Sequence, residues 1–267
     1  MQFTKKPLTY AEVMSFSGVL ILLGIHNVRN YRKAFSEAKA QVLIRLHDLM
    51  ICHRFEVIGS FIHVVTMEEE SSLGQDPLKK IRPLQEYIKK KCLSFYQPLQ
   101  NLSVDERMVK SKARCHLVQY MRNKPCKWGF KYWVLADTSG YTIDFELYTG
   151  KMERKGENGL AYDVVMQLCQ NFKFQGYSLY VDNFYTGVAL FEDLAKLGIA
   201  ATGTLRIDRK GVPDIVKQLQ KALSERNVPR GHGYYIRTGS LVYVCWRDKR
   251  TVTAMSVALP GHSAEFV

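Results

Sequence analysis

At 267 residues, with 46% apolar and 12% aromatic side chains, the chain suffices for one large domain or two modest ones, and it is too apolar for an intrinsically disordered polymer. Thirty-eight Lys and Arg against 25 Asp and Glu give a net charge of +13, which makes a polyanion the natural partner. The nearest approach to an uncharged apolar run, 16–25, is too short to cross a bilayer, and residues 1–10 lack the parts of a secretory signal, so an intracellular protein with no membrane partner is expected.

Thr9 followed three residues later by Glu12 is a capping box, and Val13, Phe16, Leu20 and Leu23 then recur at helical spacing, predicting a core helix to Ile25. Further helices are expected over 36–49 and 53–64, the latter with Phe55, Ile58, Gly59 and Ile62 on one face. Residues 68–76 are acidic and aperiodic and read as a loop. From 78 to 96 the helical pattern returns, and Pro83 requires the helix to start near Arg82 or to kink. Lys89, Lys90 and Lys91 read as a solvated face of it.

A short strand is predicted over 102–105, a basic loop over 110–119, and an alternating strand over 127–136 that sets Trp128, Phe130, Tyr132 and Val134 against Lys127, Gly129, Lys131 and Trp133. A turn at 137–140 leads to a returning strand over 141–150, with Asp144 and Glu146 expected on its solvent side. Then come a helix (159–172), a strand (177–181), a helix (186–197) and a strand (200–205). Three meandering strands followed by helix, strand, helix and strand is the element order of an RNase H-like core, one of several α/β arrangements that fit. Beyond Arg206 the pattern predicts a turn at 208–213, a short helix over 215–223, and a hairpin pairing 241–246 with 252–258 across 247–250.

Two aspartates end strand-like runs: Asp105 in Ser103-Val104-Asp105-Glu106 and Asp182 in Tyr180-Val181-Asp182-Asn183. Side by side in one sheet, their hard oxygens suit divalent cations that act on a phosphodiester. Alone, Asp182 reads rather as a turn residue or as the cap of the helix that follows. Between Asp105 and Lys131 stand eight Lys or Arg against two acids, so the basic excess lies beside the first candidate. Arg122, Lys124 and Lys127 flank Pro125 and Trp128, a basic loop with an aromatic anchor suited to a DNA backbone, and Lys110, Lys112 and Arg114 form a second basic group. The six cysteines (Cys52, Cys92, Cys115, Cys126, Cys169, Cys245) show no zinc-ligand spacing and read as free thiols, with no zinc.

The stretches Leu102-Ser103-Val104-Asp105-Glu106, Gln119 to Gly129, Val181-Asp182-Asn183-Phe184-Tyr185-Thr186, Gly203-Thr204-Leu205-Arg206 and Trp246 to Arg250 together resemble the piggyBac transposase family, in its order and at about its spacing. The resemblance implies a cut-and-paste DNA transposase, or a domesticated, non-catalytic relative that binds DNA or protein. Its core would be RNase H-like, with three aspartates holding Mg2+ or Mn2+. Asp105 matches the first aspartate and Asp182 the second. The third follows an inserted β-rich domain and has no counterpart in these 267 residues. The fold implied is α/β: a helical N-terminal region (1–100) used in dimerisation and DNA binding, the first part of an incomplete catalytic core (101–208), and a β-rich insertion (209–267). A nuclear protein that binds DNA as a homodimer is the accompanying expectation.

Overall fold

The computed structural model describes residues 7–26, 30–35, 46–150 and 156–257. The chain divides into two compact units, Met1–Pro83 and Leu84–Val267.

In the first unit, α1 (Tyr10–Ile25) begins at the expected capping box: Thr9 Oγ1 accepts from the Glu12 amide at 3.2 Å, and the Glu12 carboxylate accepts from the Thr9 amide at 3.1 Å. The same carboxylate pairs with Arg54 at 2.9 Å, tying α1 to α4 (Cys52–Phe61). Short helices α2 (Tyr31–Ala34) and α3 (Leu46–Leu49) lie between them in sequence. Of the helix expected over 36–49, residues 36–45 lie outside the described residues. Two apolar clusters hold these helices, Val19, Ala34, Phe35 and Leu46 in one, Phe16, Met50 and Ile58 in the other, with Phe55 packed on both. The expected loop at 68–76 is instead partly helical, because Thr66 and Glu69 form a second capping box and three glutamates fill the positive first turn of α5 (Met67–Ser72).

The helix α6 (Arg82–Phe95) starts where Pro83 requires, since the missing amide falls in a first turn that has no intrahelical acceptor. The second unit is built on one nine-stranded sheet. Its central strands are β1 (Asn101–Lys110), β3 (Trp128–Asp137), β4 (Thr142–Leu147), β5 (Ser178–Val181) and β6 (Ala200–Thr204), in the order β4-β3-β1-β5-β6. That is the order of an RNase H-like sheet: an antiparallel meander whose first strand, β1, pairs in parallel with β5, which in turn pairs in parallel with β6. The short β2 (Val118–Tyr120) shares the outer edge of β3 with β4, lower along the strand. β1 runs to Lys110 rather than ending at Asp105, because β3 continues to pair with it through Gly129.

Helices α7 (Leu160–Leu168), its 3-10 extension Gln170–Phe172, and α8 (Val188–Lys196) supply Val164, Val165, Leu168, Phe172, Leu190, Phe191 and Leu194 to a core shared with Leu102, Val104, Leu135, Leu179 and Ala201. After β6, α9 (Asp214–Leu223) precedes β7 (Gly233–Thr238), β8 (Leu241–Arg247) and β9 (Thr251–Val257). The expected hairpin is present, with Trp246 opposite Val252, and β9 pairs antiparallel with β6, so these strands prolong the central sheet. Residue 258 lies outside the described residues.

The alternation predicted along β3 is present, and the face it buries carries Trp133 and Leu135, while Trp128 is 59% exposed. One expectation for β4 is overturned. Asp144 and Glu146 are buried, not solvent-facing, because Lys89 of α6 covers them at 3.3 and 3.4 Å. Lys89 is accordingly half-buried and not part of a solvated face. Burial pushes the Asp144 carboxyl above its ordinary range, against the pull of Lys89.

Candidate active site and nucleic-acid interface

The parallel ladder between β1 and β5 ends with Val104 opposite Val181. Asp105 and Asp182 are therefore the next residues on two adjoining strands. Alternation orients them: Val104 and Val181 point into the core at 1% and 8% exposure, so the aspartates that follow turn outward. The Asp105 side chain is 64% exposed, and Asp182 is exposed as well.

Each aspartate is held by local hydrogen bonds. Asp105 Oδ1 accepts from the Glu106 amide at 2.7 Å. Asp182 closes a turn, its Oδ1 accepting from the Phe184 amide at 2.9 Å and its carbonyl from the Tyr185 and Thr186 amides and the Thr186 hydroxyl. Asp182 is thus not the cap of α8, which begins later, after Gly187. Gly203 of β6 is required here, because a Cβ would run into Thr186 Oγ1 and the Val181 carbonyl. Arg209 adds a further tie, donating to the carbonyls of Asn183 and Phe184.

A network sequence reasoning missed joins the two carriers. Glu106, beside Asp105, is nearly buried and pairs with Lys131 Nζ at 3.3 Å. The Lys131 ammonium also lies 5.5 Å from the Phe184 ring, 5.6 Å from Tyr148 and 5.7 Å from Trp133. Tyr185, three residues past Asp182, is 2% exposed. Burial, with the charges of Glu106, Asp105 and Asp182 adding to it, pushes that phenol well above its ordinary range. In sequence Glu106 adjoins Asp105, Tyr185 lies three residues past Asp182, and Lys131 is one of eight basic residues, so only the sheet brings the three together.

Of the six predicted basic residues, only Lys124 is brought to the carboxylates. Its Nζ lies 3.9 Å from Asp105 Oδ1 and donates to the Glu106 carbonyl at 3.2 Å. Arg122 and Lys127 are exposed in the same β2–β3 connection. Lys110 ends β1, and Lys112 and Arg114 are exposed in the 111–117 connection.

The donor chemistry fits a hard divalent cation in part: two outward carboxylates on adjoining strand positions, with open solvent to complete a coordination shell. Among the described residues no group of three His, Cys, Asp or Glu side chains is arranged to hold a metal ion. Asp137, Asp144 and Glu146 are buried in structural roles, and Asp248 pairs with Arg230.

The family model described as Transposase IS4 matches residues 1–265. The human PiggyBac transposable element-derived protein 3 is 30% identical over 261 residues, covering 93% of this chain and 42% of that protein. The human PiggyBac transposable element-derived protein 2 is 28% identical over 264 residues, covering 94% and 43%. The chain thus spans less than half the length of these curated relatives. In structure, the piggyBac transposase of a synaptic complex with hairpin DNA, solved by cryo-EM, superposes with a TM-score of 0.85 at 20% identity, covering all of this chain and 55% of that one.

Proposed function

Since the chain belongs to the piggyBac transposase family, we propose that it binds DNA along the rim formed by Arg122, Lys124 and Lys127, with Lys110, Lys112 and Arg114 beside it, and presents one phosphodiester to Asp105 and Asp182. The observation that carries this reading is the placement of the two aspartates at consecutive positions past the end of one parallel ladder, facing outward beside a lysine.

In this reading Asp105 and Asp182 hold Mg2+ or Mn2+, which when bound supplies Lewis-acid stabilisation of phosphate charge and an activated water or hydroxyl. The exposed cations fix the register of the DNA backbone and carry no base specificity. Glu106, Lys131 and the turn at Asp182 hold the carboxylates in place. Two carboxylates make an incomplete form of the three-aspartate site, so the chain by itself is a DNA-binding protein without strand-transfer activity, acting in the nucleus.

Fluorescence anisotropy with a labelled DNA duplex tests this. Affinity is expected to fall steeply between 50 and 200 mM salt, roughly as the number of phosphates neutralised, and to survive Asp105→Asn and Asp182→Asn. Affinity that ignores salt, or that vanishes in both variants, refutes the interface. Mg2+- or Mn2+-dependent strand cleavage that disappears in Asp105→Ala refutes the incompleteness.

A further inference from the structure

We propose that Tyr120 and Trp128 form a stacking platform for unpaired nucleotides of a DNA strand, on the sheet face that carries Asp105 and several nucleotides from the phosphodiester that Asp105 meets; this rests on the DNA-binding reading above. The two residues face each other across the β2–β3 ladder, with ring centroids 4.9 Å apart. They are 52% and 59% exposed, which is unusual for a cross-strand Tyr–Trp pair, whose contribution ordinarily comes from burial.

Register assigns their face. Trp128, Phe130, Tyr132 and Val134 share one side of β3, and Val134 is the partner of Asp105, with Arg107 opposite Tyr132 and Val109 opposite Phe130. Tyr120 and Trp128 therefore stand on the sheet face that carries Asp105, six residues or roughly 20 Å along the strand. Arg107 is exposed between them, and Arg122 and Lys127 lie in the connection that the aromatic pair closes. A cationic track with aromatic faces at one end matches a single strand, whose bases offer free π-faces. A duplex keeps those faces inside its stack and needs only the cations.

The whole chain is titrated by anisotropy against labelled oligo-dT, which has no secondary structure, against a duplex of the same length, and against oligo-rU. Trp128→Ala is expected to weaken oligo-dT binding about tenfold and duplex binding less than twofold, with Tyr120→Ala acting in the same direction. Because both side chains are exposed, circular dichroism should show the variants folded. Equal losses for oligo-dT and duplex, or no loss for either, overturn the platform while leaving the DNA-binding reading intact. Tighter binding to oligo-rU than to oligo-dT overturns the assignment to DNA. Binding to none of the three overturns both the platform and the DNA-binding reading.

Discussion

Lys131 Nζ stands 3.3 Å from Glu106 Oε1 and 5.5 Å from the ring of Phe184. Glu106 follows Asp105 on β1, and Phe184 lies two residues past Asp182, so one ammonium links the two elements that carry the outward carboxylates. Lys131→Met keeps the apolar stem and removes the cation. Amides of 182–186 should then exchange at least tenfold faster with deuterium, an opening free energy lower by about 1.4 kcal/mol, while those of β8 and β9 keep their protection. Lys131→Arg should retain most of it. Equal acceleration throughout the sheet would reduce Lys131 to a general stabiliser.

Lys89 covers two buried acids, Asp144 and Glu146. Burial would lower the Lys89 pKa, and the two carboxylates reverse the direction, so the lysine stays charged. Lys89→Met should destabilise the protein by about 3–5 kcal/mol, because both buried acids lose an ion pair. Lys90→Met, on the same helix, should cost less than about 0.5 kcal/mol. Urea unfolding of the two variants checks the contrast, and equal costs would show that Lys89 is not singled out.

Asp137 ends β3 and accepts hydrogen bonds from the Leu99 and Ser139 amides and the Ser139 and Tyr96 hydroxyls, at 2.6–3.0 Å. Burial alone would raise its pKa, and these donors hold it down to about 2. A carboxyl lowered from 3.8 contributes stability that is complete above that value and is lost as pH falls towards about 2. Asp137→Asn should cost about 2 kcal/mol at neutral pH, and the variant should lose less stability than the parent between pH 4 and pH 2. Parallel acid profiles would contradict the assignment.

Much of the central sheet was legible because its signals are local. Capping at Thr9, the helix start imposed by Pro83 and the alternation along 127–136 each act within a few residues, and the turn residues separate the strands that follow. The face buried by β4 was not legible, since Asp144 and Glu146 have the polar pattern of a wet strand edge and the lysine that covers them, Lys89, lies more than fifty positions away. α5 was missed because acidic side chains that look like loop composition also stabilise a helix N-terminus. Asp105 and Asp182 stood out as candidates through residue type and context. Glu106 and Lys131 did not, because an acid beside an acid and a lysine among eight basic residues carry no signal until the sheet brings them together.

The central claim is that Asp105 and Asp182 share one hard-cation site. Mn2+ titration of the whole chain, followed by electron paramagnetic resonance of the free ion, tests it most directly. The account predicts saturable binding that weakens at least tenfold in Asp105→Asn and equally in Asp182→Asn, with no further loss in the double variant. Binding unchanged by either substitution, or losses that add independently, would contradict it.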